Sequence, residues 1–148
     1  MLVAGQRLRA EKVIDEMKDI YSWLDERIKS YANPETCPGC GQCCDYENFG
    51  HRIFITTPEI LYLQNALADG KLANNFKITI GQCPFLAEGK CSVRDFRFGP
   101  CRIFFCKSLA RWQNDLTEEF LSRVKQLCRD KNVEYRYIDI PTAVENFL

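Results

Sequence analysis

Two clusters of cysteine constrain the fold of this chain more than any other feature of its sequence. The chain has nine cysteines, and eight of them fall within residues 37–106. The first cluster comprises Cys37, Cys40, Cys43 and Cys44, and the second comprises Cys83, Cys91, Cys101 and Cys106. Thiolates separated by two intervening residues can bind one soft metal centre, as in zinc knuckles and ferredoxin loops. We therefore predict that the middle of the chain folds around metal, with these eight cysteines as candidate ligands.

Length and net charge limit the class of protein to which the chain can belong. A chain of 148 residues is long enough to bury a core as one domain. Twenty basic residues balance twenty acidic ones, which argues against a globally basic nucleic-acid binder. We expect a protein partner, either a redox partner or a target protein, rather than nucleic acid. A local RNA contact by the basic, aromatic stretch 90–112 is the alternative.

The cysteines are expected to be reduced. The N-terminus lacks a signal-peptide pattern and the sequence has no apolar run of about 20 residues, so we expect a cytoplasmic protein without a membrane anchor. Disulfides are rare in that compartment, and nine is an odd number. Metal or redox chemistry is therefore the better interpretation of the clusters.

The pattern predicts one domain over residues 1–148, of α+β class and mainly helical, with short strands and a hairpin around a cysteine-rich metal centre. Its parts are an N-terminal amphipathic helix within 1–32, the cysteine core 37–106 and a C-terminal helical part 107–148. The first helix should run from about Arg9 to Tyr31. Its apolar positions recur three and four residues apart: Ala10, Ile14, Met17, Tyr21, Leu24, Ile28 and Tyr31.

Shorter elements follow. We expect a strand at 51–56, then a helix with Thr57 as N-cap, Pro58 at its first position and Glu59 in its first turn. Residues 76–80 should be extended, and Glu88-Gly89 should form a tight hairpin turn.

The C-terminal part should begin with a helix near Lys107 that breaks around Asn114, and a second helix should start near Thr117. A strand at 133–138 and a short final helix opened by Pro141 complete the prediction.

The chemistry of the thiol donors limits which metals can bind. Thiolates are soft ligands, so an all-cysteine set selects zinc or iron–sulfur over magnesium or calcium. We expect adjacent Cys43 and Cys44 to point apart, which gives either two centres or one ligand beside a bystander. His51, the one histidine, is left open as a ligand, and Cys128 is expected to act as a small apolar residue. Six basic residues should form a collar near the second cluster: Lys90, Arg94, Arg97, Arg102, Lys107 and Arg111.

These motifs resemble a known family. The segments that carry the resemblance are Cys37-Pro38-Gly39-Cys40-Gly41-Gln42-Cys43-Cys44, Cys83-Pro84-Phe85-Leu86 with Gly89 and Cys91, and Arg97 with Cys101-Arg102-Ile103-Phe104-Phe105-Cys106. They are similar to the YkgJ-type cysteine-cluster proteins, a zinc- or iron-chelating domain whose motif also resembles one in flagellin lysine methylases. Phe98 and Phe105 stand where that family usually has proline. The resemblance implies a metal centre at the eight cysteines and no settled reaction.

Three functions follow as hypotheses. The first is an iron–sulfur protein with a 4Fe–4S cluster and an electron-transfer or accessory redox role. The second is a zinc-binding structural or interaction module with four-thiolate sites. The third is a relative of, or accessory to, a protein lysine methylase.

Overall fold

A computed structural model describes residues 4–31, 42–50, 52–73, 76–104 and 111–148. It shows a single, mainly helical α+β domain, as the sequence predicts. The helices are α1 (Ala4–Tyr31), α2 (Tyr46–Phe49), α3 (Thr57–Ala68), α4 (Gly99–Ile103), α5 (Arg111–Lys131) and α6 (Ile140–Phe147). The strands are β1 (Phe54–Thr56), β2 (Leu86–Ala87), β3 (Lys90–Cys91) and β4 (Tyr137–Asp139), with 3-10 turns at Gln42–Cys44 and Arg94–Phe96. No helix in the described ranges is long and apolar enough to cross a membrane.

Helices α1 and α5 form one of two apolar cores. Helix α1 begins at Ala4, five residues before the predicted start, and buries Val13, Met17, Tyr21 and Leu24. These side chains pack with Leu116, Phe120, Val124 and Leu127 of α5 and with Ile103 of α4. Three of the seven predicted seam positions, Met17, Tyr21 and Leu24, thus lie on the buried face of the first helix, whereas Tyr31 is exposed.

The predicted break at Asn114 is wrong, because α5 runs without interruption from Arg111 to Lys131. Gln113 is buried, and its side-chain amide donates to the Ile103 carbonyl at 3.0 Å. The Thr117 hydroxyl donates back to the Gln113 carbonyl at 2.7 Å, so Thr117 lies inside the helix and does not cap a new one. The predicted start near Lys107 lies outside the described residues.

The N-cap of α3 is Thr56, one residue before the predicted Thr57. Thr56 and Glu59 form a capping box, and Pro58 occupies the first turn. The Thr57 hydroxyl instead accepts a hydrogen bond from the Arg136 backbone N–H at 2.8 Å. Two adjacent threonines made the sequence ambiguous by one position.

Strands β1 and β4 pair antiparallel, with Ile55 opposite Ile138, and so join the middle of the chain to its C-terminal part. The predicted strand at 133–138 is shorter than expected, since pairing covers Tyr137–Asp139. The final helix is confirmed as α6, which Asp139 caps by accepting from the Thr142 backbone N–H at 3.1 Å.

Residues 76–80, predicted to be extended, belong to none of the described strands. The Lys77 N–H donates to the Pro84 carbonyl at 3.2 Å, and Ile80 is 98% exposed. Neither described sheet, β1 with β4 or β2 with β3, includes these residues.

The hairpin is confirmed, with β2 and β3 joined through Glu88 and Gly89. Both turn residues have positive φ, 51° and 73°. The second apolar core packs around this region and includes two cysteines, Cys44 and Cys83, together with Phe85 and Phe98.

Candidate metal centre

Five of the eight predicted ligands lie in the described part of the chain. Cys43 and Cys44 end the 3-10 turn Gln42–Cys44, Cys83 lies in the loop before β2, Cys91 lies in β3, and Cys101 lies in α4. The other three, Cys37, Cys40 and Cys106, lie outside the described residues, as does His51. The six described cysteines, Cys128 included, form no disulfide with one another.

Backbone hydrogen bonds bring the two cysteine clusters together. The Cys83 N–H donates to the Cys44 carbonyl at 2.8 Å, and the Glu47 N–H donates to the Gly81 carbonyl at 3.1 Å. Asp45 and Gln82 form an antiparallel bridge between them. Segments nearly forty residues apart in sequence are thereby fixed side by side.

Four thiols meet at this junction, and we call Cys43, Cys44, Cys83 and Cys91 the thiol cluster. The Cys44 thiol is hydrogen-bonded with those of Cys43, Cys83 and Cys91, and these bonds raise its pKa far above the ordinary value. The same contact with Cys44 lowers the pKa of Cys83 and, at Cys91, lowers the pKa to about 7. The expectation that Cys43 and Cys44 point apart stays a prediction; Cys44 is buried and Cys43 is half-buried.

Backbone N–H groups also point at two of the sulfurs. The Phe85 N–H donates to Cys83, and the Val93 N–H donates to Cys91, in each case from two residues further along the chain. Both hydrogen bonds favour the thiolate and act against burial, which opposes it. This N–H-to-sulfur arrangement stabilises the charged form that a soft metal binds.

Cys101 lies beside the thiol cluster. Burial raises the pKa of its thiol, and negative charge on Cys83, Cys91 and Cys43 raises it further. Cys43, Cys91 and Cys101 are half-buried and pack against the apolar core that contains Cys44 and Cys83, so the fold brings five predicted ligands into one region.

Two residues of the predicted basic collar, Arg97 and Arg102, interact with different parts of the fold. The positive charge of Arg97 contributes to the lowered pKa of Cys91. Arg102 turns toward α1, where it donates to Asp25 at 2.9 Å and lies over the Tyr21 ring at 4.1 Å. Arg97 therefore stabilises the thiolate of Cys91, whereas Arg102 links α4 to α1.

The donor set fits a soft metal by chemical type, because all five described candidates are thiols. Within the described residues, no three Cys, His, Asp or Glu side chains are arranged as ligands of a common ion. A metal that binds at these thiols would displace their protons.

Cys128 is separate from these sulfurs. It is 2% exposed on α5, and burial raises the pKa of its thiol while Arg129 partly offsets that rise. This placement agrees with the prediction of a small apolar residue.

Sequence reasoning missed the part played by Glu59 and Tyr21. Glu59 was predicted as a first-turn acid, yet it is fully buried and accepts a hydrogen bond from the Gly99 N–H at the start of α4. The capping-box spacing from Thr56 was the available signal for Glu59. Nothing in the periodicity of α1 distinguishes Tyr21, which donates to Glu59, from its apolar neighbours.

Comparison with known proteins adds no relative. No family model matches the chain, and no curated protein or solved structure is similar enough to count as a match. The resemblance to the YkgJ-type family stays a prediction that rests on the cysteine motifs.

Proposed function

We propose that this chain is a cysteine-ligated metal-centre protein that binds a 4Fe–4S cluster and acts in electron transfer or as a redox accessory to a protein partner. The observation that carries the proposal is the convergence of four thiols from three separate segments, with backbone N–H donors aimed at two of them. Ordinary packing does not require thiols to meet in this way, because cysteine buried alone behaves as a small apolar side chain.

Two features favour the cluster over a single ion. The sequence repeats the two-residue gap of ferredoxin loops at Cys37, Cys40 and Cys43. Phe85 and Phe98 are buried beside Cys44 and Cys83, and such a dry surround limits solvent access to a redox centre. When bound, a 4Fe–4S cluster would supply one-electron transfer, and the chain would supply thiolates, N–H donors and this apolar wall.

Zinc is the second candidate, and the mutual contact of the thiols favours it. A tetrahedral zinc ion needs four sulfurs near one another, and Cys44 interacts with the thiols of Cys43, Cys83 and Cys91. A closed four-thiolate site of this kind would be structural. Either metal suits a reducing compartment such as the cytoplasm, where thiols stay available.

Metal analysis of anaerobically purified protein distinguishes the iron–sulfur cluster from a zinc site. We expect iron and acid-labile sulfide in the native chain, and their loss in Cys91→Ser and Cys101→Ser, because a hydroxyl is a poor soft ligand. Cys106→Ser should behave in the same way. The matched control is Cys128→Ser, which should keep its metal and lose on the order of 1 kcal/mol of stability.

Two results would count against this account. Stoichiometric zinc in a colourless protein would replace the iron–sulfur proposal with the structural one. Metal lost from Cys128→Ser but kept by Cys101→Ser would overturn the assignment of the ligands.

A further inference from the structure

The carboxylate of Glu59 joins three separate segments of the chain. Its Oε2 accepts from the Thr56 N–H and the Thr56 hydroxyl, both at 2.8 Å, at the start of α3. Its Oε1 accepts from the Gly99 N–H at 2.6 Å and from the Tyr21 hydroxyl at 3.2 Å. A helix cap needs the first oxygen alone, so the second is available to bind α4 and α1.

Helix α4 depends on such contacts for its position. It spans Gly99–Ile103, and a helix of that length is not stable by itself. At its start, Gly99 packs so closely on Phe120 that an added Cβ would lie 2.3 Å from the ring. Near its end, Arg102 donates to the Arg97 carbonyl at 2.7 Å and to Asp25.

We propose that Glu59 is a positioning residue of the metal centre, which fixes α4 and so holds Cys101 against the apolar core that contains Cys44 and Cys83. Cys101 follows Gly99 by two residues, and the bond from the Gly99 N–H to Glu59 ties that turn to the rigid start of α3. The inference rests on the proposed function for its meaning, but its geometry does not involve metal.

Glu59→Gln is the direct variant. It keeps the size of the side chain and replaces one acceptor oxygen with an NH₂ group, which cannot accept from the N–H groups that face it. Tyr21→Phe removes one of the four donors and leaves the carboxylate. The matched control is Asp139→Asn, the same acid-to-amide change at the cap of α6, where Asp139 binds Thr142.

The measurement is the rate of alkylation of single cysteines by iodoacetamide in the metal-free full chain. Trypsin releases residues 98–102 with Cys101 as their one cysteine and residues 126–129 with Cys128 as theirs, so mass spectrometry reports each rate separately. We expect Glu59→Gln to accelerate Cys101 by at least about tenfold, because a lost buried hydrogen bond favours local opening of α4. Cys128 should change by less than about twofold on the same argument, and Asp139→Asn should match the native chain at both cysteines.

An unchanged rate at Cys101 in Glu59→Gln would overturn the proposal. If Glu59→Gln accelerates both cysteines equally, Tyr21→Phe decides: selective acceleration of Cys101 supports the positioning role, and equal acceleration refutes it. Because the rates are measured without metal, they test Glu59 even if the native chain proves to contain none. Failure of the proposed function would appear in the metal analysis instead.

Discussion

Glu59 is a carboxylate with no solvent exposure and four hydrogen-bond donors around it. Burial raises the pKa of Glu59, and the donors at Gly99, Thr56 and Tyr21 act against that rise. The titratable groups that interact with it are Tyr21 on α1, with Arg102 stacked on its ring, Cys101 on α4, and Tyr135 and Tyr137 near the C-terminus. With the pKa raised on balance, the folded chain binds the Glu59 proton more tightly than the unfolded chain does.

This sign fixes a pH dependence of stability. The contribution of a carboxyl with a raised pKa is complete below its unfolded pKa and is lost as the pH rises to the folded pKa. We expect the free energy of unfolding of the metal-free native chain, relative to Glu59→Gln, to fall as the pH rises above about 4.3, the ordinary glutamate pKa. The fall should end once the pH passes the raised pKa.

Urea unfolding of both proteins at a series of pH values checks this prediction. The cysteines titrate in both chains, so their effect cancels in the difference. A difference that grows with pH would mean that the four donors outweigh burial and hold the pKa of Glu59 below its ordinary value.

At the scale of elements, local pattern predicted what local forces determine. The apolar period gave α1, and the pair Glu88-Gly89 gave the hairpin, because each depends on neighbours in sequence. The break expected at Asn114 failed, since the buried Gln113 and its bond to Ile103 hold α5 together from outside the helix. Residues 76–80 pair with no described strand, since strand propensity alone supplies no partner.

The candidate site could likewise be predicted from the sequence only in part. Cysteine spacing predicted eight candidate ligands, and the five in the described residues belong to or pack against one apolar core. The contact of Glu59 with Gly99 spans 40 residues, and no pattern within one element encodes a partner at that distance.

The hairpin offers a prediction at this scale, because its turn sets the position of Cys91. Glu88 and Gly89 have φ of 51° and 73°, and a β-branched residue is strained in that region. Gly89→Val should lower the free energy of unfolding by roughly 1–2 kcal/mol. Glu88→Asn is the control and should be neutral or slightly stabilising, since asparagine tolerates positive φ.

Denaturant unfolding measures both variants, and metal content reports whether Cys91 keeps its place. A Gly89→Val protein as stable as the native chain would show that the turn does not have its left-handed conformation in solution.

At the scale of the molecule, the two apolar cores differ in composition. The core between α1 and α5 is built from aliphatic and aromatic side chains, whereas the other contains Cys44 and Cys83. The second core is therefore the part of the fold whose stability would depend on metal.

Removal of the metal should loosen the whole domain. Backbone hydrogen bonds join the two cysteine clusters across nearly forty residues of sequence, and a metal bound by both clusters would add a second link. We expect a chelator to lower the melting temperature and reduce the helical circular dichroism signal, with recovery on anaerobic reconstitution. A chelated protein with full helicity and its original melting temperature would contradict this expectation.

X-ray absorption at the metal edge of anaerobically purified protein tests the central claim most directly. Thiolate ligation predicts a first shell of sulfur alone, at about 2.3 Å from the metal. A 4Fe–4S cluster adds an iron–iron shell beyond it, and a zinc site does not. A first shell of oxygen or nitrogen, or a native protein without metal, would contradict the account.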